Sequence, residues 1–305
     1  MPKPYAVRRA ATSRFVELRG LRYHLNVWGD PSLVTPQCPP LVMMHGWMDV
    51  GASFQFTVDA MTRPRYVVAA DWRGFGLSDR SGADCYWFHD YLGDLDALLD
   101  QLSPGQPVDL VGHSMGGNVV MGYAGVRPAR IRRLVNLEGF GTPQTSAQMV
   151  PERLGRWLDG LRTAPSLRSY GSADEVAARL TRTNPRLAAD KAAWLASHWS
   201  RKGDDGRWHI LADAAHKLAN PVLTRAEDTI TTWQRITAPL LWVQGDGNEF
   251  EGWWDGRFTR QQFEQRLAAV PKLQRLQLRD AGHMLHHDQP EALAQALEAF
   301  LGAGA

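Results

Sequence analysis

Five short apolar runs, Leu41–Met44, Tyr66–Ala70, Val108–Val111, Leu134–Leu137 and Leu240–Val243, constrain this chain more than any other feature. Each is about strand length, each is bounded by Gly, Pro or a polar residue, and none has helical spacing. Continuous apolar runs suit strands buried on both faces, the pattern of a parallel sheet. Helical stretches lie between them. Tyr91–Leu102 sets Leu92, Leu95, Leu98, Leu99 and Leu102 on one face, and Met115–Val126 stops just before Pro128. Phe258–Val270 is amphipathic and follows Leu240–Val243, and the strand-like Leu273–Leu278 comes next. A last helix starts near Pro290, with Asp288 and Glu291 spaced as a capping box, and runs through Phe300. Strands alternating with helices predict an α/β fold with a mostly parallel central sheet flanked by helices. Phe15–Leu18 and Tyr23–Trp28 alternate more and are joined by Arg19-Gly20, which predicts an antiparallel hairpin at one edge.

From about Pro143 to Ile236 the rhythm breaks. Clear buried strands are missing, and Pro151–Leu161, Ala173–Thr181 and Leu187–Ser200 are helix-like. The expected organisation is a sheet domain from residues 1–142 and 237–305, with residues 143–236 as a helical insertion upon it. The 305 residues, 44% of them hydrophobic, suffice for a sizeable core. Charged residues at 22% and a net charge of +2 argue against disorder and against a nucleic-acid partner. Two cysteines, Cys38 and Cys85, form no CxxC pair and no disulfide framework, so a reducing compartment is expected. The basic N-terminal stretch has no apolar run behind it, and no segment approaches the length of a membrane span. Cytoplasmic location and no membrane partner are the expectations.

The chemistry centres on Val108-Asp109-Leu110-Val111-Gly112-His113-Ser114-Met115-Gly116-Gly117. A buried strand enters Gly-x-Ser-x-Gly and a helix follows. Such a tight turn forces unusual dihedrals on the serine, and the flanking glycines avoid clashes. The turn lifts the hydroxyl off the sheet and aims the helix N-terminus at a developing oxyanion. A serine hydroxyl needs a base at neutral pH. His283, in Ala281-Gly282-His283-Met284-Leu285-His286-His287-Asp288, lies between the last strand-like run and the last helix, and is the preferred base. His286 or His287 as base, or His283, His286, His287 and Asp288 as metal ligands, are the competing readings. The spacing matches no standard zinc pattern, so no metal and no cofactor are expected.

Together with His45-Gly46-Trp47, Asp71-Trp72-Arg73-Gly74-Phe75-Gly76-Leu77-Ser78-Asp79 and Gly245-Asp246, these motifs stand in an order that resembles the α/β-hydrolase superfamily, in its branch with a helical cap. His45-Gly46-Trp47-Met48-Asp49 resembles the serine hydrolase-like proteins in particular. The resemblance covers nearly the whole chain and is loose only over residues 143–236. It implies Trp47 and Met115 as oxyanion donors through their backbone N–H groups. Asp71 and Arg73 are read as structural, holding the loop after their strand. Dehalogenases and epoxide hydrolases of this fold attack with an aspartate, so Ser114 points instead to an acyl-enzyme.

The acid departs from the resemblance. Many relatives carry Gly-x-x-Asp after the strand that follows the cap, but Gly245-Asp246-Gly247-Asn248 puts an uncharged residue there. Glu138, ending Val135-Asn136-Leu137-Glu138, lies where some capped relatives carry theirs. A carboxylate at the end of an apolar run also needs a partner. Glu138 is preferred as the third triad member, with Asp246 and Glu249 as alternatives. Trp157, Trp194, Trp199, Trp208, Trp233, Trp253 and Trp254 either line an acyl pocket or glue the insertion to the sheet. The expected activity is hydrolysis of a small carboxylic ester through a Ser-His-acid triad. A C–C bond, lactone or thioester hydrolase, or a low-turnover ligand-binding protein of the same fold, are the alternatives. The expected partner is a small-molecule substrate.

Overall fold

All five apolar runs lie in strands, except that Tyr66 precedes its strand. The computed structural model describes residues 5–247 and 250–302. Its strands are β1 (Thr12–Leu18), β2 (Leu21–Trp28), β3 (Leu41–Met44), β4 (Val67–Ala70), β5 (Val108–His113), β6 (Ile131–Leu137), β7 (Ser169–Tyr170), β8 (Ser200–Lys202), β9 (Trp208–Ile210), β10 (Leu240–Gly245) and β11 (Leu273–Leu278). Eight of them form one sheet, ordered β1-β2-β4-β3-β5-β6-β10-β11. Pairing is parallel from β4 through β11, while β1–β2 and β2–β4 are antiparallel. This is the mostly parallel α/β sheet that the strand and helix rhythm implied.

The helices are α1 (Gln55–Ala60), α2 (Phe88–Leu102), α3 (Met115–Val126), α4 (Val150–Arg162), α5 (Ala173–Thr183), α6 (Ala189–Trp199), α7 (Ala226–Trp233), α8 (Phe250–Trp253), α9 (Arg260–Leu267), α10 (Leu285–Asp288) and α11 (Pro290–Gly302). Strand alternation sends successive residues to opposite faces. Val42, Met44, Leu110 and Trp242 pack on one face against Leu95 and Leu99 of α2, Val119 of α3 and Phe263 of α9. Leu41, Met43, Val111 and Val243 pack on the other against Val58 of α1 and Leu293 and Leu297 of α11. Each of these side chains is fully buried, worth roughly 1.5–3 kcal/mol apiece.

Two local expectations are corrected. Asp288 does not cap the last helix, because its carboxylate accepts from Gly282 N (2.9 Å) and Asn184 Nδ2 (2.7 Å). A capping box forms instead at α9, where Thr259 and Gln262 satisfy each other's backbone N–H groups, so that helix starts later than Phe258. The stretch between β6 and β10 is also not purely helical. β7, β9 and β8 form a small antiparallel sheet. Its strands are only two or three residues long, too short for a periodicity to register. The turn signal Asp205-Gly206, with Gly206 at φ 77°, marks the hairpin.

The same stretch has its own core of Val176, Leu180, Leu187, Ala192, Leu195 and Trp199, continuous with Val50, Ala52 and Phe56 of the segment after β3. A second fastening is an aromatic stack. His216 lies between the rings of Phe75 (centroids 3.8 Å apart) and Tyr86 (3.7 Å), with Tyr91 Oη 3.1 Å from its Nδ1. Nearby, Gly76 N donates to Leu211 O (2.8 Å) and Asp213 N to Gly74 O (2.7 Å). Burial pushes the His216 imidazole down to about 4 from 6.5, with Asp213 only partly opposing. Between these values the unfolded chain binds a proton that the folded chain refuses. The stability from a neutral His216 is therefore present above pH about 6.5 and is lost as pH falls toward 4, by up to about 1.4 kcal/mol per pH unit. Urea unfolding at pH 7.5 and pH 5 measures this, and His216→Phe is expected to reduce the loss relative to wild type. Equal losses in the two proteins would remove His216 from the account.

Candidate active site

β5 delivers His113, and the chain reverses at Ser114 before α3 begins at Met115. Ser114 has φ 52° and ψ −115°, a conformation costing a non-glycine residue about 1–3 kcal/mol. Its N–H donates to Leu137 O (2.8 Å), which ties the turn to β6. The neighbouring glycines are sterically required. A Cβ at Gly112 would overlap the Gly116 carbonyl, and one at Gly116 would overlap the Met44 carbonyl. Tertiary contact on both sides therefore enforces the strained turn.

Ser114 Oγ lies 2.9 Å from His283 Nε2. His283 Nδ1 lies 3.4 Å from Glu138 Oε2, and Glu138 Oε1 accepts from Gly245 N (2.7 Å). Glu138 is 1% exposed and has φ 58° at the end of β6. The structure thus brings Ser114, His283 and Glu138 together. Asp246 is exposed, and its Oδ1 accepts from Ala281 N (3.2 Å), bracing the turn before His283 instead of facing the imidazole. Glu249 and Asn248 lie outside the described residues.

Met115 is the first residue of α3, so its N–H has no intrahelical acceptor. Trp47 follows β3, and both residues line the cavity at Ser114. The loop carrying Trp47 is held by His45, whose Nε2 accepts from Trp72 N (2.9 Å) while Nδ1 lies 2.7 Å from Gly46 O. Burial lowers the His45 pKa, in keeping with a neutral ring carrying its proton on Nδ1. Asp71 and Arg73 serve the neighbouring loop. Asp71 accepts from Gly51 N (2.7 Å) and Leu77 N (2.9 Å), and Arg73 pairs with buried Asp94.

The sequence reading missed two positioning groups. His113 donates from Nε2 to the His283 carbonyl (2.8 Å), fixing the backbone that carries the candidate base. Burial, followed by the nearby His286, holds the His113 pKa well below its usual value, so the ring is neutral. Its place beside the serine was the available signal. Asp49 was missed as well. It accepts from Trp199 Nε1 (3.0 Å) and Val50 N (2.8 Å), tying the loop after Trp47 to α6.

The histidines after His283 turn away from Ser114. His286 Nε2 lies 3.6 Å from Asp49 Oδ2, and both His286 and His287 are buried. Asp49, His286 and His287 present ligand-type atoms within 4.8 Å of one another, so the residues weighed for a metal do not form one set: His283 faces Ser114 and Asp288 caps Gly282. The tryptophans divide too. Trp233, Trp253 and Trp254 line the cavity with Ser114, with the Trp253 ring 4.5 Å from that of His283. Trp194 stacks on His198, and Trp199 belongs to the small core beneath α5 and α6.

The cavity measures about 710 Å³, a size suited to a small molecule. Phe88, Leu92, Phe140 and Leu223 give it apolar walls, and Arg153 and Thr229 reach it from the stretch between β6 and β10. Among the described residues, no helix is long and apolar enough to cross a membrane.

A family description, alpha/beta hydrolase fold, matches residues 39–290. The serine hydrolase-like protein of Danio rerio is 24% identical over 298 residues, covering 93% of this chain and 85% of that protein. The 3-hydroxybutyrate-oligomer hydrolase of Cupriavidus necator is 27% identical over 298 residues, covering 94% of both. Among solved structures, the thioesterase domain from the curacin biosynthetic pathway is similar at 26% identity and a TM-score of 0.79, over 94% of this chain and 99% of that one.

If Glu138 orients and charge-balances the imidazole, Glu138→Gln lowers turnover of a p-nitrophenyl ester by about 10²–10⁴-fold, and Asp246→Asn changes it by less than about fivefold. The opposite ranking would transfer the acid to Asp246.

Proposed function

Because the chain belongs to the α/β-hydrolase fold family, and is thus a hydrolase by kinship, we propose that it is a serine hydrolase acting on a small carboxylic ester through Ser114, His283 and Glu138. The observation that carries this reading is the 2.9 Å approach of Ser114 Oγ to His283 Nε2 inside a largely apolar cavity of about 710 Å³. Ser114 attacks the carbonyl while His283 takes its proton, and Glu138 stabilises the imidazolium. The N–H groups of Trp47 and Met115 hold the oxyanion. His283 returns the proton to the leaving alcohol, and water then repeats the sequence on the acyl-enzyme. No step requires a metal or cofactor.

Residues 143–236 act in this reading as a cap that completes the pocket, as supported by Arg153, Leu223 and Thr229 in its lining. The free thiols of Cys38 and Cys85 fit a reducing compartment such as the cytoplasm.

Release of p-nitrophenol from short and medium p-nitrophenyl esters tests the proposal. Wild type is expected to turn over, and Ser114→Ala is expected to lose at least about 10³-fold in kcat. Undiminished turnover in Ser114→Ala would falsify it. A wild type inert on every ester, but active on a vinylogous diketone or a lactone, would assign the same residues to C–C or ring cleavage.

A further inference from the structure

Trp47 is half exposed and is shared by two cavities. One holds Ser114. The other measures about 380 Å³ and has Tyr170 and Ile210 in its wall beside Trp47. Four cations line it, Arg168, Arg179, Arg182 and Lys217, and no Asp or Glu does. Among the described residues none of the four pairs with a carboxylate. Lys217 Nζ donates to Ser166 O (2.7 Å), and the Arg168 guanidinium lies 5.4 Å from the Tyr170 ring centroid. These neutral partners orient the cations without offsetting their charge. Arg179 and Arg182 are three apart on α5 and project from one face of it.

The charge is also unevenly distributed along the chain. Residues 143–236 carry 14 Lys and Arg against 10 Asp and Glu, a net of +4, whereas the whole chain is +2, so the remainder is net negative. Four like charges in one concavity repel, and an anion of several charges relieves that repulsion. Three of the four are arginines, whose planar forks match phosphate oxygens in pairs.

We propose that this second cavity binds the phosphate groups of the substrate's leaving half, so that the preferred substrate is an acyl thioester whose thiol arm ends in phosphates, as in a coenzyme A thioester. The inference rests on the Ser114, His283 and Glu138 reading and replaces the alcohol leaving group given there with a thiol, so that a thioester is preferred over a carboxylic ester. The scissile carbonyl sits at Ser114, the arm crosses Trp47, and the phosphates lie among Arg168, Arg179, Arg182 and Lys217. Ser114 Oγ forms the acyl C–O bond as the C–S bond breaks, and the proton taken by His283 goes to the departing thiolate. Water then cleaves the acyl-enzyme, giving one carboxylic acid and one thiol for each water consumed.

Three thioesters with one acyl group test this: butyryl-coenzyme A, butyryl-phosphopantetheine and butyryl-N-acetylcysteamine, which offer several phosphates, one and none. In wild type, kcat/KM for butyryl-coenzyme A is expected to exceed that for butyryl-N-acetylcysteamine by at least about tenfold, mainly through KM. The single-phosphate substrate is expected to fall between them. A single-phosphate substrate equal to the coenzyme A ester would make the phosphopantetheine arm the recognised source. In the Arg179→Gln/Arg182→Gln double variant the advantage is expected to shrink to about twofold or less, with thermal unfolding reporting that the variant is folded. Equal kcat/KM for the three substrates in wild type, or an advantage that survives in the double variant, overturns the proposal. Calorimetric binding of adenosine 3′,5′-bisphosphate at about 150 mM salt is independent of turnover. Binding is expected in wild type and weakened in the double variant, and its absence in wild type also overturns the proposal. Labelling of Ser114 by a fluorophosphonate separates the two readings: a protein that labels but ignores the bisphosphate loses only the phosphate site, and one that binds it without labelling loses the hydrolase reading.

Discussion

A carboxylate taken wholly out of water is tolerated only where donors surround it. Glu138 meets that condition with the Gly245 N–H on one oxygen and the His283 imidazole near the other. Three segments far apart in sequence, the ends of β6 and β10 and the loop after β11, meet on this side chain. The sheet makes the meeting possible, because β6 and β10 are paired neighbours with Leu137 opposite Val243. A carboxylate at the end of either strand is therefore one strand spacing, roughly 4.8 Å, from its counterpart. That adjacency lets Glu138 approach His283 from the end of β6, one strand away from the end of β10. The elbow depends on the same strands, since Ser114 N is held by the carbonyl of Leu137, the residue before Glu138.

Much of this was legible in the sequence because burial on both faces leaves an unbroken apolar run. Leu41–Met44 and Met115–Val126 are found with the bounds that the pattern predicts. Gly-His-Ser-Met-Gly was legible for a different reason: no other local chemistry lets backbone from β3 and α3 pass so close. The remainder was hidden by contacts made at long range. Asp288 has the right spacing to cap α11 yet is taken by Asn184 and Gly282, partners 104 and 6 residues away. Nothing local marks Asp49 as the partner of Trp199, 150 residues distant. The strands β7, β8 and β9 are too short to carry a period, and only the Asp205-Gly206 turn announces them.

The stretch between β6 and β10 is joined to the sheet at several independent places. His216 is sandwiched by core aromatics, Trp199 binds Asp49, and Trp233 of α7 is buried in the core beside α3. One of these attachments, Trp199 to Asp49, falls two residues after Trp47. The part of the chain with the excess positive charge is thus fastened to the segment that follows Trp47.

The eight-stranded sheet ends in two strands that each have a neighbour on one side only, β1 and β11. Unpaired backbone along such a strand is a template for strand addition by a second chain. Here β1 is mostly exposed and carries Arg14 and Glu17, while Arg22 from β2 covers Phe15, its guanidinium 4.7 Å from the ring centroid. β11 carries Arg275, paired with Glu264 of α9. An incoming strand would have to crowd these charges, which disfavours its addition. The two open borders of the sheet are in this way built to resist aggregation.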